Sequence, residues 1–94
     1  MKYRAKPLVV DAFRFDADSE VNAPAWFCDM VNDETIYIDR IIEDGAVRVY
    51  GCTISTPAGR IRAKTGDYIV LEDGGSIRCL KPALFRQQYE KVRT

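Results

Sequence analysis

The stretch RAKTGDYIVLEDGG, residues 62–75, concentrates the residue types of this chain that could do chemistry. Two glycine-bearing turns and several acidic residues within it are compatible with either a phosphate loop or a pair of catalytic carboxylates. A phosphate loop of the Walker or dinucleotide type needs its glycines at the start of a helix. Here Gly66 precedes a predicted strand and Gly74-Gly75 joins two predicted strands, so the pattern does not predict nucleotide binding by this route.

The carboxylates of this stretch are Asp67, Glu72 and Asp73, and a pair of Asp67 with Glu72 or Asp73 would have to span the predicted strand between them. At roughly 3.3 Å per residue Asp67 and Glu72 lie about 16 Å apart, which is too far for an acid–base pair. We expect Asp67 to accept hydrogen bonds from backbone amides of its own turn. A small hydrolase that uses carboxylates such as Asp11, Asp67 or Glu72 is therefore the least favoured of the functions considered.

Histidine is absent from the chain, which excludes Ser-His-Asp and Cys-His catalysis, HExxH zinc sites and facial-triad iron sites. The three cysteines, Cys28, Cys52 and Cys79, are widely spaced and form no CxxC motif. We expect them to be reduced, small, buried residues. No catalytic residue, metal site or cofactor is predicted.

Cationic side chains recur with the period of a β-strand. Arg60, Arg62 and Lys64 share one face of a predicted strand, while Ile61 and Ala63 share the other. Such a row suits a phosphate-bearing ligand or an acidic protein surface. Equally, long cationic side chains can serve only to solvate the outer face of a half-exposed sheet and discourage edge pairing.

Two further segments extend this candidate surface. Arg48 and Tyr50 alternate against Val47 and Val49 in a neighbouring predicted strand, and Arg78 extends the patch from a third strand. The complete set of candidate ligand- or partner-binding residues is Arg48, Tyr50, Arg60, Arg62, Lys64 and Arg78.

Length and charge bound the class of protein. Ninety-four residues predict a single domain, 1–94, with one modest core. The fourteen Lys and Arg balance the fourteen Asp and Glu, so any attraction to an anionic partner comes from a local patch rather than from net charge. Near the N-terminus the apolar LVV is followed at once by Asp11 and Arg14, which predicts neither a signal peptide nor a membrane span. We expect a soluble cytosolic protein.

The N-terminal third predicts a strand and a helix. Residues 3–15 are rich in β-branched and aromatic residues. After a polar connection, a short helix is predicted over 23–33, with Asn22 as its cap and with Trp26 or Phe27 pressed onto a sheet.

The remainder predicts mainly hairpins. Gly and Pro turn signals separate short alternating runs, in the order ETIYIDRII, AVRVYG, CTIST, RIRAK, YIVLE and SIRCLK. A C-terminal helix starts at Pro82. The predicted fold is α+β, with a mostly antiparallel curved sheet or a small barrel-like sheet of six to eight short strands, a short helix after the first strand and a C-terminal helix.

The chain resembles a group of small proteins encoded by bacteriophages and prophages. The likeness rests on YRAKPLVVDAFRF, APAWF and above all on the C-terminal half. There the shared elements are Thr65-Gly66-Asp67-Tyr68-Ile69-Val70, Gly74-Gly75, Lys81-Pro82, Phe85, Tyr89, Glu90 and Val92. The group frequently has proline where this chain has Thr65. The resemblance implies a phage origin and the host cytoplasm as the place of action, but no activity.

Together these observations predict a non-enzymatic phage accessory protein that acts by binding. It either inhibits a host protein or sequesters an anionic small molecule such as an immune signalling nucleotide, as a counter-defence protein would. A homo-oligomer is compatible with this function, because pairing deepens a ligand pocket. The alternative is a nucleic-acid-binding phage protein that uses the same cationic face. No membrane partner is predicted.

Overall fold

The computed structural model describes residues 1–2, 10–72 and 74–89. Residues 3–9, Asp73, Glu90 and Val92, which the sequence patterns above include, lie outside the described residues. The elements in chain order are β1 (Asp11–Arg14), α1 (Ser19–Asn22), α2 (Ala25–Asn32), β2 (Ile36–Glu43), β3 (Ala46–Thr56), β4 (Gly59–Lys64), β5 (Tyr68–Leu71), β6 (Ile77–Leu80) and α3 (Pro82–Gln88). The predicted α+β class is confirmed.

The described strands form two antiparallel sheets of three strands, ordered β1-β5-β6 and β2-β3-β4. The sheets are not closed into a barrel. The prediction of one curved sheet is also corrected, because β5 pairs with β1 and β6 rather than continuing from β4. Gly66, at φ 98°, turns the chain from one sheet to the other in a conformation that glycine adopts without strain.

The two predicted hairpins, β3–β4 and β5–β6, are confirmed, and the predicted turn at 43–45 joins β2 and β3 in a third hairpin. The turn between β2 and β3 has positive φ at both Asp44 and Gly45, as a two-residue type I′ turn requires. One boundary is corrected, because AVRVYG and CTIST are a single strand, the eleven-residue β3.

The main core lies between the inner face of the β2-β3-β4 sheet, the β1-β5-β6 sheet and α2. Its buried members are Phe15, Phe27, Ile36, Ile38, Cys52, Ile54, Ala63, Ile69 and Ile77. α2 contributes Phe27, which meets Phe13 edge to face at 4.9 Å, and Trp26 meets the same ring at 5.6 Å. The predicted contact of this helix with a sheet is thus confirmed. The predicted cap is corrected, because Asn22 ends α1 and Pro24 precedes α2.

The opposite face of the β1-β5-β6 sheet packs against α3. Pro82 is the first residue of this helix, as predicted. Phe85 stacks on Tyr68 of β5 with the ring centroids 4.0 Å apart and the planes 2° from parallel. Val70 and Leu80 share this face and are buried outside the main core cluster.

Beyond Gly51 the β2-β3-β4 sheet loses its third strand. β4 pairs with β3 only from Gly51 to Thr56, whereas β2 and β3 stay paired to their turn. At the boundary the ladder passes from Asp39–Gly51 to Arg40–Val49, which leaves Tyr50 as a β-bulge. We call the two-stranded ribbon over residues 40–50 the arm and the three-stranded part the body.

Candidate functional site

The predicted cationic row lies on the side of the body that faces away from the core. Arg60, Arg62 and Lys64 are all exposed, and they alternate with half-buried Ile61 and buried Ala63. Strand alternation in β4 therefore directs the three charges to the outer face and the apolar side chains to the core. This part of the prediction agrees with the structure.

The neighbouring strand β3 places small groups beside the three cations. Ser55 is opposite Arg60, Thr53 is opposite Arg62 and Gly51 is opposite Lys64. Paired residues share a face of the sheet, so the row of cations is bordered by two hydroxyl groups and by a position without a side chain. The result is an open surface with hydrogen-bond donors of two kinds.

No described carboxylate neutralises this row. Among the described residues, Arg60, Arg62 and Lys64 form no ion pair. Asp39, the acidic residue of β2 on this face, instead accepts a hydrogen bond from the Thr53 hydroxyl at 2.9 Å. It lies two strands from Lys64, about 10 Å away at the usual strand spacing.

Tyr37 belongs to the same face and was not among the predicted site residues. It pairs with Thr53, so that Tyr37, Thr53 and Arg62 form one row across the three strands. Its side chain is 71% exposed. The alternation of Tyr37 against buried Ile36 and Ile38 is the signal that could have found it. We define the outer face as Tyr37, Thr53, Ser55, Arg60, Arg62 and Lys64.

The other predicted members lie elsewhere. Arg48 is in the arm, where its guanidinium forms an ion pair with Glu43 at 3.0 Å. Tyr50 is the bulged residue, and its carbonyl accepts a hydrogen bond from the Thr65 amide at 3.3 Å. Both continue β3 away from the three β4 cations. Five of the six predicted residues therefore divide into a compact cationic row and two positions beyond its end.

Arg78 does not extend the row. It lies on β6, which belongs to the other sheet, and it pairs with Val70 on the face that α3 covers. Its guanidinium is 3.8 Å from the Glu72 carboxylate. The assumption that β6 and the cationic strands form one sheet fails, because β6 packs near β4 but pairs with β5 in the other sheet.

Asp67 has the structural role expected from its sequence position. Its carboxylate is mostly buried, accepts a hydrogen bond from the Lys64 amide at 3.0 Å and is 3.7 Å from the Cys79 sulfur, whose thiol donates to it. These contacts close the turn between β4 and β5. Asp11 and Glu72 lie at the far end of the β1–β5 ladder, so neither of them is brought together with Asp67.

The cysteines near Asp67 are poor nucleophiles. Burial, followed by the charge of nearby Asp67, raises the pKa of Cys79 to about 11. Burial is also the main cause that raises the pKa of Cys52 to about 12. Since the thiolate is the reactive form, neither group is poised to attack a substrate at neutral pH. All three cysteines are free, but the predicted burial holds only for Cys52, since Cys28 and Cys79 are half-buried.

An open groove of about 550 Å³ lies beside β2 and is lined by Val31, Glu34, Ile36, Tyr37, Ile38 and Arg40. A smaller cavity of about 140 Å³ lies at α2, between Phe27 and Asn32. Neither includes a cation of β4. The described residues contain no group of three or more His, Cys, Asp or Glu side chains that could hold a metal ion.

Comparison with known proteins does not indicate a function for this surface. No family model matches the chain, and no curated protein or solved structure is significantly similar to it. Within the described segments, no helix is both long enough and apolar enough to cross a bilayer. Any functional assignment therefore has to be argued from the surface itself.

Proposed function

We propose that this protein acts by binding, and that the outer face is its contact surface for an anionic macromolecule. The observation that carries this proposal is the row of three exposed cations without a carboxylate partner in the described chain. Solvation of the sheet does not require charges of one sign, because mixed charges solvate it equally well. An unneutralised row instead attracts and orients an opposite charge.

An acidic surface on another protein fits this face better than a small nucleotide does. Small-molecule sites are concave and bury most of their ligand. The outer face is one side of a sheet, and of its residues only Tyr37 lines one of the two grooves described above. The resemblance to bacteriophage proteins implies action inside a bacterial host, and we therefore propose that the acidic partner is a host protein, which this chain would inhibit. An immune signalling nucleotide is the less favoured ligand.

A single strand of nucleic acid is the second candidate, and Tyr37 is the observation that favours it. The exposed ring lies in one row with Thr53 and Arg62. Stacking of bases on an aromatic ring beside cations is the usual means of binding single strands without strict sequence preference. The zero net charge of the chain leaves only this local patch to hold the phosphates.

A panel of three fluorescent probes separates these ligands: a polyglutamate peptide, a short oligothymidine and a cyclic dinucleotide. Fluorescence anisotropy measures the dissociation constant of each at low and at physiological salt. We expect the peptide or the oligonucleotide to bind more tightly than the dinucleotide, with an affinity that falls as salt rises. If none of the three binds at millimolar protein and low salt, the proposal is contradicted.

A further inference from the structure

β4 is an edge strand in the described part of the chain. It pairs with β3 on one side, and no described strand pairs with it on the other. Arg60 and Arg62 are exposed, and Ile61 between them is only half-buried. An accessible strand edge of this kind binds an extended segment of another chain through main-chain hydrogen bonds.

The hydrogen-bond pattern of β4 points the backbone groups of Arg60 and Arg62 at this open edge. Successive residues of a strand direct their N–H and C=O groups alternately to the two sides. Just beyond β4, the Thr65 amide donates to the Tyr50 carbonyl of β3, so the odd-numbered residues of β4 also face β3. The even-numbered residues therefore face away from it. No described residue forms a hydrogen bond with the outward backbone groups of Arg60 and Arg62.

Asp67 closes this edge at Lys64, the next even-numbered residue. The Lys64 amide donates to the Asp67 carboxylate at 3.0 Å, and the Lys64 carbonyl accepts from the Asp67 amide at 3.0 Å. β6 comes close to β4 here as well, since the Cys79 sulfur is 3.7 Å from the same carboxylate. An added strand can therefore bond to the N–H and C=O groups of Arg60 and Arg62, and it ends before Lys64.

The charges of β4 decide which strand this edge accepts. Side chains directly opposite each other in a ladder share a face, where opposite charges stabilise the pair and like charges destabilise it. A second copy of β4 would place cations against cations, so the edge disfavours pairing with itself. Within the described chain neither Arg60 nor Arg62 forms an ion pair. A strand with carboxylates opposite these two residues would give each guanidinium a partner.

Ile61 selects the residue that lies between the two carboxylates. Its side chain packs against the main core, but part of it remains in contact with water at the edge. The residue opposite Ile61 in an added strand faces the same side, and an apolar side chain there would cover the exposed part. The fitting sequence is therefore acidic–apolar–acidic, with the two acidic residues about 7 Å apart along the strand.

We propose that β4 binds an extended segment of its protein partner as an added antiparallel strand, with acidic residues opposite Arg60 and Arg62 and an apolar residue opposite Ile61. This inference rests on the proposed function, since it specifies how an acidic partner contacts the outer face. The antiparallel direction lets each residue opposite Arg60 or Arg62 exchange both of its main-chain hydrogen bonds with β4. Main-chain bonds supply affinity, and the alternating side chains supply specificity.

N-methylated peptides test the proposal without changing the protein. The probe is a short fluorescent peptide with blocked ends in which glutamate alternates with valine, and anisotropy at low salt measures its dissociation constant. In the proposed strand the glutamate amides donate to β4 and the valine amides point away. N-methylation of the glutamate amides should weaken binding at least about 10-fold, because it removes these donors, while N-methylation of the valine amides should change it less than about 3-fold. Equal losses, or a loss with the valine set alone, would contradict the proposal.

Amide hydrogen exchange, followed by NMR, locates the added strand on the protein. Without peptide, the outward amides of Arg60 and Arg62 should exchange faster than the Ile61 amide, which is bonded to β3. Saturation with the alternating peptide should slow exchange at Arg60 and Arg62 at least about 10-fold. Ile61 is the internal control, because its amide is protected in both states.

A proline substitution removes one outward donor from β4. Arg60→Pro leaves the β3–β4 hydrogen bonds in place, since the Arg60 amide faces the open edge, where proline is tolerated. Arg60→Thr is the matched control, because it removes the same charge and keeps the amide. We expect Arg60→Pro to bind the alternating peptide at least about 5-fold more weakly than Arg60→Thr. Thermal unfolding of both variants verifies that they fold.

The polyglutamate probe separates failure of this proposal from failure of the proposed function. If polyglutamate binds but the alternating peptide is insensitive to N-methylation, the outer face binds acidic chains without adding a strand, and only this proposal is overturned. A bound peptide that leaves the Arg60 and Arg62 amides unprotected overturns it as well. If neither acidic probe binds and oligothymidine does, the partner is a nucleic acid. If no probe binds, the proposed function is contradicted too.

Discussion

Strands β2 and β3 run through both the body and the arm, but apolar side chains on the same face are buried in the body and exposed in the arm. On one face of β2, Ile38 is 4% exposed, whereas Ile42, four residues later, is 79% exposed. In the body that face is covered by α2 and by the second sheet, and β4 adds a third strand. Among the described residues, no third strand pairs with the arm and no element covers Ile42. Burial in this protein is therefore set by what lies beside a strand and not by the strand's own pattern of apolar residues.

The boundary between the two regions has a local cause on each side. Gly51 lets β3 approach β4 closely, since a Cβ there would collide with the carbonyl oxygen of Ala63. At the end of β4, Asp67 binds the Lys64 amide and the chain turns into the second sheet at Gly66. The third strand thus stops where the arm begins. The outer face, which is the proposed binding surface, belongs to the body.

The largest expected effect compares two substitutions on one face of β2. Ile38→Ala should lower the free energy of unfolding by about 3 kcal/mol, because it leaves a cavity in the main core. Ile42→Ala should change it by less than about 0.5 kcal/mol, because the side chain is already in water. Urea denaturation at micromolar protein measures both variants. Equal losses of unfolding free energy would show that Ile42 is buried within the monomer, which would contradict the difference between the arm and the body.

The boundary itself is probed by Gly51→Ala. The added methyl group meets backbone and not a flexible side chain, so β3 and β4 have to separate locally. We expect a loss of about 2 kcal/mol in the free energy of unfolding. Gly45→Ala is a control without steric conflict. Because Gly45 has a positive φ, this substitution also lowers the free energy of unfolding, but only through backbone strain. A variant at Gly51 as stable as the natural chain would contradict this account of the boundary.

A smaller effect is expected where β4 ends. Asp67→Asn keeps the size of the side chain but weakens the hydrogen bond to the Lys64 amide, which should cost about 1 kcal/mol. Asp29→Asn, an exposed change on α2, provides the baseline in the same denaturation experiment. If both substitutions lower the free energy of unfolding by the same amount, Asp67 does not stabilise the turn that ends β4.

A further expected effect is a pH dependence in the second sheet, at Cys79 of β6, which the arm does not share. Burial raises the pKa of Cys79 from 9.0 to about 11, so between these values the unfolded chain loses the thiol proton and the folded chain keeps it. The unfolded state then binds fewer protons, and stability falls as the pH rises from 9 to 11. Cys79→Ser should reduce this decline relative to the natural chain, as measured by denaturation at several pH values. A decline of the same size in both proteins would contradict the assignment.

Much of the fold follows from local sequence signals. The Asp44-Gly45 turn, the start of α3 at Pro82 and the row over Arg60, Arg62 and Lys64 follow from turn chemistry and from alternation with period two. Each depends on neighbours in sequence, and each agrees with the structure. The same alternation would have added Tyr37 to the row.

The errors concern pairing between distant segments. Arg78 was grouped with the β4 cations because its strand has the same alternation, but β5 pairs with β1 and takes β6 into the other sheet. The arm could not be foreseen either, because Ile41, Ile42 and Val47 follow the same pattern as buried residues. Sheet membership depends on long-range partners, which alternation does not encode.

The central claim is that the outer face of the body binds anionic macromolecules, and charge reversal at Arg62 tests it most directly. Fluorescence anisotropy with the tighter of the polyglutamate and oligothymidine probes compares Arg62→Glu with Arg86→Glu, an exposed cation of α3. Arg62→Glu should weaken binding at least about 10-fold, because it places a like charge within the contact, while Arg86→Glu should stay close to the natural chain. Equal losses in both variants would show that only net charge matters and would contradict the account.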